Sequence, residues 1–480
     1  MKKALIIFLA LAVLLTSGAV WTFADAYKEQ DNVIFTEETV YGDIKYANDI
    51  QVTRNIYLGD ARWKSVCSIN EGKVVTETAF TYYDFGRSYE GGPNYDSIWL
   101  STVGYPDFSG SVKNDKELTA ERKRLQDDFD ELTKDSLDNP VTVTFRLGDY
   151  YEFYPIGLSI WLPEKTNIYG EADYEAENDI VKQFRVFFKI PVPDSEFTTV
   201  KASVSYGAGG RIETVTEKTH NYFFNTRSVV CDSAAYFTFD NKFPDSDEKV
   251  DTSLIPGGYG IYRLPYDKSS DEDLLNNTVN TKVHADKLEM VYPLSEDTHV
   301  FEMMASFDKK HIYLLTKQDG KYYFTVVDEM TMTDLQRFEL DMNEGSPYFH
   351  SAHDGYVVIT RNSEQEGINI LLYEEKEGLY EKKADICTDY TIFDSDIYWD
   401  GERLAAVKKY DAVRENTDLW GHYELSYDCG FTLTVFDSEK TLYRGNFASS
   451  LDAGAEANGS SLYFCSGQFD DGEDLLVAIK

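Results

Sequence analysis

The sequence predicts an all-β fold: a β-propeller of about seven to eight blades with one inserted amphipathic helix, preceded by a hydrophobic amino-terminal helix. Three observations carry this. First, a unit repeats. From Ala305 to Leu340 the chain shows an Asp-bearing turn at Phe307-Asp308, an apolar strand from Ile312 to Thr316, a hairpin signal at Asp319-Gly320 and an alternating strand from Tyr322 to Val327. The turn returns as His353-Asp354-Gly355 before YVVIT, as Trp399-Asp400-Gly401 before LAAV and as Asn458-Gly459 before SLYF, at successive spacings of 46, 46 and 58 residues. Periods of this size with about four strands per unit fit propeller blades, whereas helical repeats would show a period of 3.6 inside each unit. Second, 35 Tyr and 29 Phe raise the aromatic fraction to 15%, a composition that strands favour. Third, 12 prolines in 480 residues leave no Pro-rich stalk or linker between separate parts.

In chain order, Met1-Lys2-Lys3 precedes Ala4 to Phe23, an uncharged run of 20 residues. Residues 1–26 therefore form a signal peptide cleaved after Ala26, at the A-x-A pattern Ala24-Asp25-Ala26, or a retained signal anchor long enough to span a bilayer. Lys2 and Lys3 keep the amino end in the cytoplasm and place the rest outside. Localisation is thus expected to be exported: the cell membrane with a single anchor, or secreted if the run is cut.

Residues 35–226 are β-rich and less regular. IQVTRNIYL, RWKSVCSI, KVVTETAFTYY and SIWLSTV read as strands, and Asn70-Glu71-Gly72 resembles the blade turn. At 116–135, Leu118, Leu125, Phe129 and Leu132 put a narrow apolar stripe on a highly charged helix, best used to cover a sheet. VTVTFRL, FRVFFKI, TVKASVSY and RIETVT read as further strands.

Residues 227–480 carry the regular blades. Cys231-Asp232 before SAAYFTF matches the turn, and the rest of that blade arrives at Gly257 to Tyr266 after an acidic insert. Another insert, from Tyr410 to Cys429, widens the blade that begins at Asp400, and LLVAIK ends the chain as a third strand. A propeller leaves unpaired edges unless one terminus completes the sheet of the other. A strand within Tyr41 to Leu58 is therefore expected beside Leu475 to Ile479, making 35–480 one unit. The alternative is a β-sandwich over 35–226 followed by a smaller propeller.

Net charge is −38, from 84 acidic against 46 basic residues. That field repels nucleic acid and anionic lipid headgroups, so nucleic acid is excluded as a partner and membrane association is left to the amino-terminal helix. Cys67, Cys231, Cys387, Cys429 and Cys465 form no C-x-x-C, which excludes zinc ribbons and thioredoxin-type sites. Most are expected as small buried hydrophobes, with a disulfide of Cys429 to Cys387 or Cys465 left open. Asp245, Asp247, Glu248 and Asp251 are spaced like a calcium loop but lack its Gly and terminal Glu, so no metal is expected. His350 and His353 with Asp354 are the one His cluster; His353 stands where the repeat has Phe307 or Trp399, which favours filling of the turn over metal ligation.

The turn repeat resembles that of YVTN and NHL-type β-propellers. Asp149 to Pro155 (DYYEFYP), Lys189 to Pro193 and Gly257 to Tyr266 resemble a family of exported or membrane-anchored proteins of Gram-positive bacteria with no assigned activity. The resemblance implies architecture and location, and carries over no site. Nucleophile-elbow, zincin, Walker A and dinucleotide motifs are absent, so no cofactor is expected, and no catalytic or binding residue is assigned. Two functions stay open. One is an extracytoplasmic binding or sensing module for a cell-envelope glycan or protein. The other is a glycosidase-like, carbohydrate-active enzyme with paired carboxylates in the propeller channel.

Overall fold

The computed structural model describes residues 33–58, 61–82, 97–102, 118–133, 141–162 and 475–479, and 166–454 with short interruptions. In chain order the strands begin with β1 (Phe35–Gly42), β2 (Ile50–Leu58), β3 (Ala61–Asn70), β4 (Lys73–Tyr82) and β5 (Ser97–Thr102). Helix α1 (Ala120–Thr133), β6 (Val141–Arg146), β7 (Ile156–Leu162), β8 (Thr166–Gly170) and helix α2 (Asp179–Phe187) follow. Then come β9 (Phe197–Tyr206), β10 (Ile212–Thr219), β11 (Thr226–Val230), β12 (Ala234–Phe239), β13 (Gly260–Asp267), β14 (Lys282–Val283) and β15 (Glu289–Pro293). Two meanders follow: β16 (His299–Ala305), β17 (His311–Gln318), β18 (Lys321–Asp328) and β19 (Thr333–Leu340); then β20 (Pro347–His353), β21 (Tyr356–Ser363), β22 (Gly367–Lys376) and β23 (Leu379–Thr388). The chain closes with β24 (Asp396–Trp399), β25 (Leu404–Lys409), β26 (Val413–Thr417), β27 (Tyr423–Asp428), β28 (Phe431–Phe436), β29 (Thr441–Ser449), β30 (Asp452–Gly454) and β31 (Leu475–Ile479). The chain is all-β with propeller-type sheets.

These elements form two compact units, one of the residues up to Pro93 with Tyr356–Lys480, the other of Asn94–Gly355. In the first, β31-β2-β3-β4, β21-β22-β23 and β24-β25-β28-β29-β1 are antiparallel sheets, and the insert makes its own sheet β26-β27-β30. Apolar faces of successive sheets close on one another. Val358, Ile370 and Leu372 meet Trp399, Leu404 and Phe436, while Val407, Leu433 and Phe447 meet Val52, Cys67 and Val477. Strand β31 lies against β24, whose Asp396 carboxylate accepts the Val477 N–H at 2.7 Å.

The expected meeting of the two ends occurs. β2 pairs antiparallel with β31 from Ile50↔Ile479 to Arg54↔Leu475, and β1 adds an outer strand to β29. LLVAIK is therefore not a third strand: it opens the sheet that β2, β3 and β4 complete. Asn70-Glu71-Gly72 accordingly joins the third and fourth strands of that sheet, with Glu71 at φ 52° and Gly72 at φ 71°, instead of the first and second as in the repeat.

In the second unit, β16-β17-β18-β19 is the repeat read from sequence, β12 and β13 centre a sheet flanked by β11, β14 and β15, and β5-β7-β8 and β6-β9-β10 complete the set. All six residues of β12 are buried, because both faces are covered. Ala234 and Tyr236 pack on Ile312 and Leu314, while Ala235, Phe237 and Phe239 face the cluster that holds Ile98, Leu158 and Phe188. First strands lie side by side: β11 against β5 on one flank and β16 on the other, and β16 against β20.

The recurrent Asp of the turns has a common cause. Asp308 Oδ1 accepts the Lys310 N–H, Asp400 Oδ1 accepts those of Glu402 and Arg403, and Asp437 Oδ1 those of Glu439 and Lys440. A short carboxylate can cap its own turn in this way.

Helix α1 lies within the expected segment, with Leu125 and Phe129 buried on its stripe and Leu132 left exposed. FRVFFKI departs from expectation. It is not a strand: Phe184–Phe187 end helix α2, capped by Asn178 Oδ1 accepting the Ile180 N–H at 2.8 Å. Ile180, Val181, Phe184, Phe187 and Phe188 follow helical spacing, and burial of their stripe outweighs the strand preference of Phe and Val. Among the described residues no helix is long and apolar enough to cross a membrane; residues 4–23 lie outside them.

Candidate functional site

The site rests on a row across three strands. A two-residue turn at Asp319-Gly320, with both residues at positive φ (51° and 78°), joins β17 to β18 and sets Lys317 opposite Tyr322. β16 pairs on the other side, with His299 opposite Lys317. His299, Lys317 and Tyr322 therefore stand in one cross-strand row.

A bulge between Val300 and Glu302 adds Phe301 to this wall. Its ring stacks on Tyr322 at 5.6 Å and meets His299 edge-on at 4.6 Å. Lys317 Nζ donates to Tyr322 Oη at 3.2 Å and lies 4.7 Å from the ring centroid. The row opens into a cavity of about 470 Å³, bounded opposite by Asn241 and Lys242 after β12, by Asp297 and Thr298 before β16, and by Gly345 and Ser346 before β20.

Two lysines, Lys242 and Lys317, border the cavity. Among the described residues Lys242 and Lys317 are in no ion pair, and Arg227 on β11 spends its donors on the Phe301 carbonyl and on Asn225 and Thr226 oxygens. Asp297 is bound to Lys249 Nζ at 3.0 Å. Burial lowers the pKa of His299; Asp240 Oδ1, 3.4 Å from its Nδ1, opposes that shift, while Arg227, Lys317 and Lys242 reinforce it. The net effect disfavours the imidazolium, and a bound anion would oppose it.

On the inner strands of this unit, β5, β11, β16 and β20, the one carboxylate is Glu302. Burial pushes it up to about 7, against the Phe349 N–H that it accepts from β20 and against Arg227. Thr226 and Ser228 likewise accept the Leu100 and Ile98 N–H groups of β5. Side chains thus occupy backbone groups that an inner edge strand leaves unpaired.

The residues singled out in the sequence go elsewhere. Of DYYEFYP, Tyr151 and Tyr154 are buried in the core, and Tyr150 donates to Asp128 of α1 at 2.8 Å. His353 is pulled down to about 4 by burial and by His350; Asp354 lies outside the described residues. So do Asp245, Asp247 and Glu248, while Asp251 caps Ser253 N. Among the described residues no three His, Cys, Asp or Glu side chains could hold a metal ion. Cys67 and Cys231 are buried thiols raised to about 12, mainly by burial; Cys429 and Cys465 lie outside the described residues. His299, Phe301 and Lys317 carry no motif, but the Asp319-Gly320 hairpin signal already implied that Lys317 faces Tyr322.

No family model matches the chain, and no curated protein does. Among solved structures, a candidate 6-phosphogluconolactonase of Bacteroides fragilis is similar at 10% identity and TM-score 0.29, over 83% of this chain and 97% of that one. TolB of Acinetobacter baumannii is similar at 10% identity and TM-score 0.23, over 84% and 81%. A post-proline cleaving enzyme of Rickettsia typhi is similar at 11% and 0.22, over 86% of this chain and 50% of that one. At such scores the likeness carries no argument, and the fold stands on the strand order and register of the chain itself.

Proposed function

We propose that the chain is an extracytoplasmic, cell-envelope-associated binding module, whose propeller sheets present the His299–Lys317–Tyr322 cavity to an anionic group of an envelope glycan or protein. The observation that carries this is the pair of lysines Lys242 and Lys317, in no ion pair among the described residues, beside an aromatic wall, in a chain of net charge −38. Such lysines can meet an anion, and rings beside them suit the apolar face of a sugar or side chain. The uncharged run Ala4 to Phe23 and the likeness of DYYEFYP and its companion segments to exported proteins of Gram-positive bacteria support the location.

Calorimetric titration with glucuronate, inorganic phosphate and glucose tests it. Glucuronate is expected to bind and glucose not, and Lys317→Gln to weaken glucuronate about tenfold, the loss of one charge-assisted hydrogen bond. Equal binding of glucose and glucuronate, or an unaffected variant, contradicts it.

A second reading, a carbohydrate-active enzyme, draws on Glu302, an inner-strand carboxyl that keeps its proton near neutrality as a general acid must. Turnover on a glycan panel that Glu302→Gln abolishes would establish that reading in place of the first.

A further inference from the structure

Two polar residues on the lining of the His299–Lys317 cavity are themselves buried. Asn241, which follows β12, and Thr298, which precedes β16, are each 5% exposed. One turn holds both. Asn241 Nδ2 donates to the Glu296 carbonyl, and the Thr298 N–H closes that turn on the Ser295 carbonyl at 2.8 Å. The Thr298 carbonyl accepts from Tyr259 Oη at 3.3 Å, and the Asn241 carbonyl accepts the Val250 N–H at 2.8 Å. Both residues are thereby anchored.

Each has one side-chain group left over. Among the described residues, Asn241 Oδ1 and Thr298 Oγ1 have no hydrogen-bond partner. A backbone carbonyl only accepts, so the bond to Glu296 fixes the Asn241 amide with Oδ1 as its unused end. A buried polar atom without a partner costs free energy, and native interiors rarely leave one. Two such atoms on residues that line one cavity call for a partner that enters it. Asn241 Oδ1 can only accept, whereas Thr298 Oγ1 can donate or accept. What they ask of a ligand is O–H or N–H donors, not an anionic oxygen alone.

The rest of the lining asks for something different. Lys242 and Lys317, in no ion pair among the described residues, suit an anionic oxygen, and the stacked Phe301 and Tyr322 rings suit an apolar face. The volume, about 470 Å³, lies in the range of small-ligand sites. Inorganic phosphate or an acidic side chain supplies charge without a row of donors beside it. A sugar acid supplies all three: a carboxylate for the lysines, ring C–H groups for the aromatic wall, and adjoining hydroxyls for Asn241 and Thr298. We propose that the cavity binds a uronic acid unit of an acidic polysaccharide. This rests on the anion-binding role proposed above for the same cavity and narrows its ligand to one class of glycan.

Calorimetric titration of the full chain with glucuronate and with cyclohexanecarboxylate, a six-membered ring of the same charge without hydroxyls, tests the proposal. Glucuronate should bind at least about tenfold more tightly, through two neutral hydrogen bonds that the other ligand lacks. Thr298→Val should weaken glucuronate about fivefold and leave cyclohexanecarboxylate unchanged. It should not lower Tm, because the hydroxyl it removes has no partner among the described residues. Thr298→Ser, which keeps a hydroxyl, should bind glucuronate like the wild type. Equal binding of the two carboxylates, or a Thr298→Val variant that binds glucuronate normally, overturns the proposal while leaving anion binding at Lys317 standing. Tighter binding of inorganic phosphate, or of N-acetylglutamate amide as a stand-in for an acidic protein, overturns it in the same way. Binding of neither carboxylate overturns the anion-binding role itself, and this proposal with it.

Discussion

Glu302 sits where a carboxylate is least comfortable, half-buried on an inner strand, and its folded pKa of about 7 stands above the ordinary 4.5. A carboxyl raised in this way holds its proton more tightly when folded. Its contribution to stability is therefore complete below about pH 4.5 and is lost as pH rises through about 7, a swing on the order of 3 kcal/mol. Glu302→Gln removes the titrating group and keeps an acceptor for the Phe349 N–H. Urea denaturation at pH 5 and pH 8 should show the wild type losing more stability than the variant over that interval; parallel pH dependence in the two proteins would contradict the assignment. None of this could be seen in the sequence. Glu302 is one of 84 acidic residues, and what distinguishes it is a bulge and a neighbouring strand. His299 and Lys317, 18 positions apart, become neighbours through strand register alone.

At the scale of elements, strands with turn signals were legible and helix α2 was not. IQVTRNIYL, KVVTETAFTYY and TVKASVSY have β-branched residues, alternation and bounding turns, and all three are strands. FRVFFKI has the same residue types, but its apolar positions keep a helical period once Ile180 and Val181 are counted. Two substitutions test the helix. Phe188→Ala should cost about 3–5 kcal/mol, because the ring is buried against Phe237, Phe239 and Tyr262. Val186→Ala, at an exposed helical position, should be neutral or stabilise by about 0.5 kcal/mol, whereas in a strand it would destabilise. Denaturation curves distinguish the two. Pairing between distant strands was legible in one place, β2 with β31, because an open edge demands a partner and the two termini held the unassigned apolar strands. The sheets built by β6, β9 and β10 and by β26, β27 and β30 are insertions whose grouping no local pattern records.

At the scale of the molecule, one sheet joins β2 to β31, and two lysines border a cavity in a strongly acidic chain. Removal of residues 475–480 should expose the edge of β2, uncover Val52 and leave the Asp396 carboxylate without the Val477 N–H. The loss should be on the order of 5 kcal/mol, from two buried side chains and the strand's hydrogen bonds. An unchanged urea midpoint would show that β31 does not close the sheet. The proposed function predicts that an anion beside Lys317 stabilises, by linkage, the protonated form of His299. NMR titration of the seven histidine imidazoles, with and without saturating glucuronate, measures this most directly. A rise in the pKa of His299, abolished in Lys317→Gln, is the predicted result, and a His299 titration unmoved by the anion would contradict it.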